Sequence, residues 1–279
     1  MHTLDTLVTL RDTAVEVAIS AAALIEETDR QVRPHLAASV QTKTSAVDPV
    51  TVVDKAAEAH IATALHTLRP DDGLLGEEGA RHTGTTGIDW VVDPIDGTVN
   101  FLYNIPRYAV SIAAVDEGTP VAGAVINVAT GDIYRAYAGG PAERATAAGE
   151  WIPISASACR DITATLVATG FSYESERRVK QARIFSGMIP TVRDIRRLGA
   201  AALDLCSLAE GSVDAYYEHG LHAWDWAAGV VIARAAGAHI LTPPIDVPGG
   251  GGQPLIAAAP GVWDDFVDLV ERAGGLAHQ

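Results

Sequence analysis

The first third of the chain carries two helical patterns. Through residues 4–27, apolar side chains recur at intervals of three and four, which predicts an amphipathic helix. A second helix is predicted from about 53 to 68, where the turn-forming run 69–73 stops it.

From residue 108 to about 154 the pattern changes to short runs rich in Val, Ile and Tyr. Turn-forming groups separate these runs at 116–118, 130–132 and 139–140. The pattern predicts an antiparallel meander.

Strand and helix patterns then alternate to the end of the chain. Strands are predicted near 166–169, 195–198, 213–217, 239 and 256, and helices at 176–189, 200–210, 224–236 and from about 262. We expect two domains: an α+β domain over 1–141 that holds the meander, and an α/β domain over 142–279 that completes the site.

Composition narrows the possible functions. The chain has 279 residues, of which 48% are hydrophobic, enough for a substantial core. No apolar run reaches the roughly 20 residues of a membrane span, and no secretory signal pattern opens the chain, so a cytoplasmic protein is expected. The net charge of −15 disfavours nucleic acid and anionic membranes as partners.

Four acidic groups stand where predicted elements begin or end. They are Asp54, the pair Glu77-Glu78, the pair Asp93 and Asp96, and Asp225. Taken singly, a Gly-Glu-Glu-Gly sequence is typical of a solvated loop, and an acid such as Asp225 is typical of a helix N-terminus.

The Asp93 cluster has the richest chemistry. Asp93 ends an apolar run, Pro94 stiffens the turn, and Asp96 precedes Gly97-Thr98. Carboxylates and a carbonyl on one rigid turn suit a hard cation, and the N–H groups of Gly97 and Thr98 suit a phosphate. The alternative is an ordinary turn, since Asp, Pro and Gly are common turn formers.

In combination, these motifs resemble the inositol monophosphatase family. The matching segments are Glu77-Glu78, WVVDPIDGTVNF at 90–101, DIRRLGAAALDLC at 194–206, DAYYEHG at 214–220 and WDWAAG at 224–229. Lys43 and the run DPVTVVD at 48–54 resemble the family's N-terminal metal loop. The resemblance implies a sugar-phosphatase fold whose helix and sheet layers alternate as αβαβα, and a homodimer.

The resemblance also implies residue roles. Metal ligands would be Glu77, Asp93, the Ile95 carbonyl, Asp96 and Asp225, with Asp54 supporting a third, weaker ion. Glu77 and Thr98 would orient the attacking water, and the substrate would contact Asp96, Gly97, Thr98, Ala201, Glu218 and Asp225.

Two or three Mg²⁺ ions would explain how an acidic chain binds phosphate. Four carboxylates and two Mg²⁺ ions leave the site near neutral, and a third ion admits a phosphate dianion. The ions would activate water and neutralise charge on the phosphoryl group. The resemblance further implies inhibition by Li⁺.

Alternatives stay open for the identity of the substrate and for the roles of several histidines and arginines. Inositol monophosphate is favoured by Glu218, against histidinol phosphate, fructose bisphosphate and phosphoadenosine phosphate. A partner-binding protein without catalysis is the alternative from another class, although all the acidic ligands are retained. His219 and His222 indicate hydrogen-bonded loop histidines more than a zinc site. Arg196-Arg197 could bind phosphate, but on a strand edge the pair is expected to contact acids or a second subunit.

Overall fold

The fold is described from a computed structural model that covers residues 3–39, 49–146 and 149–277. Lys43 and Asp48, from the predicted metal loop, lie outside these ranges. Among the described helices, none is long and apolar enough to cross a membrane.

Two helices form the first layer, α1 (Leu4–Ser39) and α2 (Pro49–Leu68). Helix α1 is longer than predicted, because an ion pair within the helix and a contact with Phe101 support its polar end. Arg33 pairs with Asp29 at 2.7 Å. Its guanidinium also lies 5.1 Å from the centre of the Phe101 ring. The apolar periodicity alone could not reveal this support.

An eight-stranded sheet forms the second layer. Its strands are β1 (Gly73–Gly76), β2 (Arg81–His82), β3 (Ile88–Asp96), β4 (Ala109–Asp116), β5 (Thr119–Asn127), β6 (Asp132–Tyr137), β7 (Glu143–Ala145) and β8 (Trp151–Pro153), in the order β2-β1-β3-β4-β5-β6-β7-β8. Strands β4 to β8 pair antiparallel with their neighbours, which confirms the predicted meander. A short helix, α3 (Thr98–Leu102), follows β3.

The rest of the chain supplies the other three layers. The second sheet has the order β10-β9-β11-β13-β12 and consists of β9 (Leu166–Thr169), β10 (Asp194–Arg196), β11 (Ala215–His219), β12 (His239–Leu241) and β13 (Pro254–Ala258). Helices α5 (Ala201–Ala209) and α6 (Ala223–Ala235) pack between the two sheets, and α4 (Ser175–Met188) and α7 (Trp263–Arg272) cover the outer face of the second.

Alternation along the strands assigns each side chain to a layer. On β3, Trp90 and Val92 pack with α1 and α2, whereas Val91 faces α5 and α6. On β11, Tyr216 faces the central helices and Tyr217 the outer ones. Because helices cover both faces of both sheets, apolar side chains lie on both sides of these strands, as Val91 and Val92 do on β3. The five layers confirm the predicted αβαβα arrangement.

The division at 141/142 stays a prediction. Strands β6 and β7 pair across it, with Ile133 opposite Ala145. The eight-stranded sheet therefore draws its last two strands from the second predicted domain.

Candidate active site

A β-bulge in β3 brings Asp93 and Asp96 to one side of the sheet. Residues three apart on a regular strand point to opposite faces. Here Asp93 lies opposite Ser111 and Asp96 opposite Ala109, so β3 has one more residue than β4 between these pairs. The extra residue restores the same orientation, as bulges next to active sites do. Both carboxylates therefore face the layer of α5 and α6.

The turn after β3 requires glycine. Gly97 has φ of +91°, a conformation that other residues adopt only with strain. A Cβ there would lie 3.1 Å from both the Ala200 Cβ and the Gly199 carbonyl oxygen. Thr98 donates its hydroxyl hydrogen to the Ile95 carbonyl at 3.0 Å. The threonine oxygen is thereby left as an acceptor.

Helix α2 holds the loop that carries Glu77. The buried carboxylate of Glu58 accepts the backbone N–H of Glu78 at 2.8 Å and that of Ala80 at 2.7 Å. Gly76 allows this approach, since a Cβ there would lie 2.3 Å from Glu58 Oε2. The Glu58 carboxylate, which does not line the site, therefore holds the loop that carries Glu77 in place.

Two helix N-termini meet the carboxylates of the site. The oxygens of Asp96 accept the N–H groups of Ala201 at 3.2 Å and Ala202 at 2.7 Å, at the start of α5. Asp225, in the first turn of α6, accepts the His222 N–H at 2.7 Å. Both acids satisfy backbone donors that a helix start leaves unpaired, and both keep lone pairs for a further ligand.

Glu218 reaches the site from the second sheet. It shares a face of β11 with Tyr216, whose hydroxyl donates to it at 2.5 Å. Asp204, on α5, is anchored by Arg107 at 2.8 Å. The guanidinium of Arg107 also donates to the Leu203 carbonyl, which ties this contact to the backbone of α5.

A cavity of about 130 Å³ joins these groups. Its lining comprises Glu77, Asp93, Ile95, Asp96, Gly97, Thr98, Gly170, Phe171, Tyr173, Arg197, Gly199, Ala200, Ala201, Asp204, Glu218, Leu221 and Asp225. Every predicted site residue is present except Asp54, which is buried in the second turn of α2 and does not line it.

Burial and mutual repulsion dominate the electrostatics. Burial raises the pKa of Asp93 well above its ordinary value, and the carboxylates of Glu77, Asp96 and Asp225 raise it further. The pKa of Asp96 is raised well above its ordinary value by burial and by Asp225, against the lowering effect of the Ala202 N–H. The pKa of Glu77 is raised as well, chiefly by burial.

These groups fit a divalent cation. Clustered carboxylates and the Ile95 carbonyl offer only oxygen donors, the set preferred by Mg²⁺. A bound cation would relieve the repulsion that raises the pKa values of Asp93 and Asp96. The carbonyl has a second lone pair beside the one that Thr98 uses.

The structure corrects two interpretations of single residues. His219 is not in a loop: it lies buried in β11, with its Nδ1 2.8 Å from the Tyr217 hydroxyl. Arg196 pairs with Asp194 as expected, at 2.6 Å, whereas Arg197 lines the cavity.

Sequence reasoning also missed several cavity and supporting residues. Asp204, Glu58 and Arg107 act here through contacts between distant segments. The only local signal was an acid, Glu58, among the apolar positions of the α2 pattern.

Comparison with known proteins agrees with this geometry. The model of the inositol monophosphatase family matches residues 7–262. The chain belongs to the inositol monophosphatase family. The fold and family predicted from the sequence motifs are thus confirmed.

Relatives within the inositol monophosphatase family bear more than one name. "Inositol-1-monophosphatase" of Mycobacterium leprae is 45% identical over 244 residues, 86% of this chain and 84% of the relative. "Nus factor SuhB" of Vibrio cholerae is 36% identical over 218 residues, 75% of this chain and 80% of the relative. The solved structure of Mycobacterium tuberculosis SuhB superposes with a TM-score of 0.85 at 41% identity, covering 97% of this chain and 99% of that one.

Proposed function

We propose that this protein is a Mg²⁺-dependent phosphomonoesterase that hydrolyses inositol 1-phosphate to inositol and phosphate. One observation carries the proposal. Glu77, Asp93, Asp96 and Asp225 share a cavity with the Gly97-Thr98 turn. Carboxylates for cations and a turn for phosphate are the two requirements of this chemistry.

The donor set divides between two ions. Glu77, Asp93 and the Ile95 carbonyl would hold the first Mg²⁺, and Asp93, Asp96 and Asp225 the second. When bound, Mg²⁺ supplies positive charge that activates water and stabilises the phosphoryl oxygens and the leaving alkoxide. A third ion supported by Asp54 stays part of the proposal, and the segment 40–48 needed to judge it lies outside the described residues.

The chain's own groups position the reactants. Because the Thr98 hydroxyl donates to Ile95, its oxygen is oriented to accept a hydrogen bond from the attacking water. Glu77, held by the loop that Glu58 fixes, would accept the one proton that this water loses. The N–H groups of Gly97 and Thr98 would bind the phosphate oxygens. Positioning of this kind replaces a protein nucleophile.

The alcohol is recognised by groups beyond the phosphate. Glu218 would accept hydrogen bonds from ring hydroxyls, and Asp96 and Asp225 would contact the hydroxyl next to the ester. The Ala201 N–H, also assigned to the substrate, already donates to Asp96 at 3.2 Å. Its contribution is therefore to hold that carboxylate in place.

Phosphate release from a panel of esters tests the proposal. With Mg²⁺, we expect inositol 1-phosphate to be hydrolysed with a kcat/KM above those of histidinol phosphate, fructose 1,6-bisphosphate and phosphoadenosine phosphate. A preference of more than about tenfold, or 1.4 kcal/mol, for histidinol phosphate would refute the inositol assignment and leave the phosphatase proposal standing. No release from any ester would favour the partner-binding alternative.

Lithium inhibition is a further expectation of this proposal. Li⁺ would occupy one metal position and slow product release, so inhibition should be uncompetitive or mixed with respect to substrate. Initial rates over a matrix of Li⁺ and substrate concentrations at saturating Mg²⁺ measure this. Undiminished rates at all Li⁺ concentrations would contradict it. The homodimer and the cytoplasmic location stay predictions.

A further inference from the structure

Gly170 lies directly against the carboxylate of Glu218. Both residues line the cavity, Gly170 directly after the end of β9 and Glu218 from within β11. A Cβ at Gly170 would lie 2.2 Å from each carboxylate oxygen of Glu218 and 2.4 Å from its Cδ. Carbon atoms in contact normally stay about 3.5–4.0 Å apart, so a side chain at position 170 is incompatible with this position of the carboxylate.

The backbone conformation of Gly170 does not itself require glycine. Gly170 is not among the glycines with a positive φ, whereas Gly97 has a φ of +91° that would strain any other residue. The missing side chain at position 170 therefore makes room for the Glu218 carboxylate and is not needed for the path of the chain.

Hydrogen bonds on both sides of Gly170 hold its backbone in place. The Thr169 hydroxyl donates to the Tyr217 carbonyl at 2.7 Å, where β9 and β11 pair in parallel. The Ser172 N–H donates to the side-chain oxygen of the buried Gln181 at 3.0 Å. Because the backbone is anchored before and after this position, a methyl group here would displace the carboxylate rather than the chain.

The Tyr216 hydroxyl is a further contact of the same carboxylate. It donates to Glu218 Oε2 at 2.5 Å, and the tyrosine is fully buried. Residues 216 and 218 share a face of β11, so the strand sets the direction of both side chains. One hydrogen bond and the close approach of the Gly170 backbone thus define where the carboxylate lies.

We infer that Gly170 is a positioning residue that selects for a polyol ring through Glu218. The inference rests on the proposed function and deepens it, because Glu218 is assigned there to the ring hydroxyls. An acceptor of directional hydrogen bonds must be held to within about 0.5 Å. A side chain at position 170 would displace this acceptor and leave the metal ligands and the Gly97-Thr98 turn unchanged. Glycine at this position therefore serves ring recognition and not the chemistry at phosphorus.

Substrate discrimination in a double-mutant cycle tests this role. The measured quantity is the kcat/KM for inositol 1-phosphate divided by that for glycerol 2-phosphate, which lacks the ring. Gly170→Ala should lower this ratio about tenfold, the lower end of the loss expected for a charged acceptor. In a Glu218→Ala background the added methyl group has no carboxylate to displace, so Gly170→Ala should leave the ratio within about twofold.

Gly187→Ala is the matched control. It adds the same methyl group to an exposed glycine of α4 that does not line the cavity. A Cβ there would lie 3.3 Å from the Ala273 Cβ, so only a small adjustment is needed and the ratio should equal that of the wild type. Three results would each overturn the inference: an unchanged ratio in Gly170→Ala, equal losses on both esters, or a tenfold fall that persists in the Glu218→Ala background.

Thermal unfolding distinguishes this inference from the proposed reaction, since it requires no turnover. Gly170→Ala should lower the midpoint of the wild type, because the displaced carboxylate loses its hydrogen bond from Tyr216. In the Glu218→Ala background the same change should leave the midpoint unchanged or raise it, since alanine restricts the unfolded chain more than glycine does. Equal downward shifts in both backgrounds overturn the inference. The expected difference in midpoints, without phosphate release from either ester, refutes the proposed reaction and supports the positioning of Glu218 by Gly170.

Discussion

Asp96 accepts the backbone N–H of Ala202 at 2.7 Å, which joins a metal-ligand candidate on the first sheet to the start of α5. The contact spans more than a hundred residues of sequence and crosses the predicted domain division. Asp225 makes the corresponding contact in α6, with the His222 N–H. The site is therefore assembled where the central helices meet the first sheet, and neither predicted domain contains it alone.

Asp93→Asn should abolish most activity without unfolding the protein. Asp93 is assigned to both ions, and asparagine keeps its shape while removing the charge. We expect kcat to fall about 10³-fold or more, the scale on which electrostatic groups act in catalysis. Steady-state phosphate release with a Mg²⁺ titration measures this, and circular dichroism checks the fold. Asp89→Asn, on the exposed side of the same strand, is the control. Wild-type rates in Asp93→Asn, or full activity in EDTA, would contradict the metal mechanism.

Glu58→Ala should weaken Mg²⁺ activation more than it lowers the maximal rate. Glu58 touches no substrate, but it holds the Glu77 loop through the N–H groups of Glu78 and Ala80. Supporting residues of this kind change metal affinity about 10- to 100-fold. The Mg²⁺ concentration for half-maximal activity measures the effect. Glu58→Gln retains one acceptor oxygen and should be intermediate, whereas equal activation constants in all three proteins would exclude this role.

Glu218→Ala should discriminate between substrates. Losing a charged acceptor costs about 1.5–3 kcal/mol, or about 10- to 150-fold in kcat/KM for inositol 1-phosphate. Glycerol 2-phosphate lacks the ring and should be scarcely affected. Since alanine leaves the Tyr216 hydroxyl without this acceptor, Glu218→Gln serves as a second variant with intact packing. Equal losses on both esters would remove Glu218 from ring recognition.

Glu218 should also make the metal-free protein less stable as the pH rises. Burial raises the pKa of Glu218 from 4.5 to about 8, and the Tyr216 hydrogen bond only partly offsets this. The folded state therefore keeps a proton that the unfolded state loses above 4.5, and folding stability falls until the pH passes about 8. Glu218→Gln removes this penalty, so its advantage in thermal midpoint should grow across that window and then level off.

Thermal scans in EDTA at several pH values test the Glu218 effect. Glu176→Gln, on the exposed surface of α4, is the control and should follow the wild type throughout. A constant difference between Glu218→Gln and wild type at every pH would contradict this assignment.

The sequence predicted those site residues that lie close together along the chain. Asp93, Asp96, Gly97 and Thr98 lie on one turn, and this spacing, combined with the other acidic motifs, indicated a shared site. Glu218 was identified by resemblance, but its strand was predicted to end at Tyr217. Pairing of Glu218 with Leu255 on β13 extends the strand, and no local signal encodes that partner.

Contacts between distant segments escaped prediction for a different reason. Arg107 and Asp204 are far apart in sequence, and their ion pair depends on how α5 lies across the first sheet. Arg197 follows the end of β10, and it could be distinguished from Arg196 only by the direction in which each side chain leaves the backbone. Charge pattern identifies such residues as polar but does not indicate which of them face the cavity.

The central layer of α5 and α6 also determines how the protein unfolds. One apolar cluster includes Val91 and Val125 of the first sheet, most of both helices, and Tyr216 and Ala257 of the second sheet. Removing either sheet would expose helices whose buried sides are mostly alanine, valine and leucine. Neither half can melt while the other stays intact, so denaturation should be a single cooperative transition despite the two sheets. A substitution at the outer face of β13 should then lower the unfolding midpoint equally when two different tryptophans report it. Trp90 lies in the opposite outer cluster, and Trp226 lies in the shared central layer.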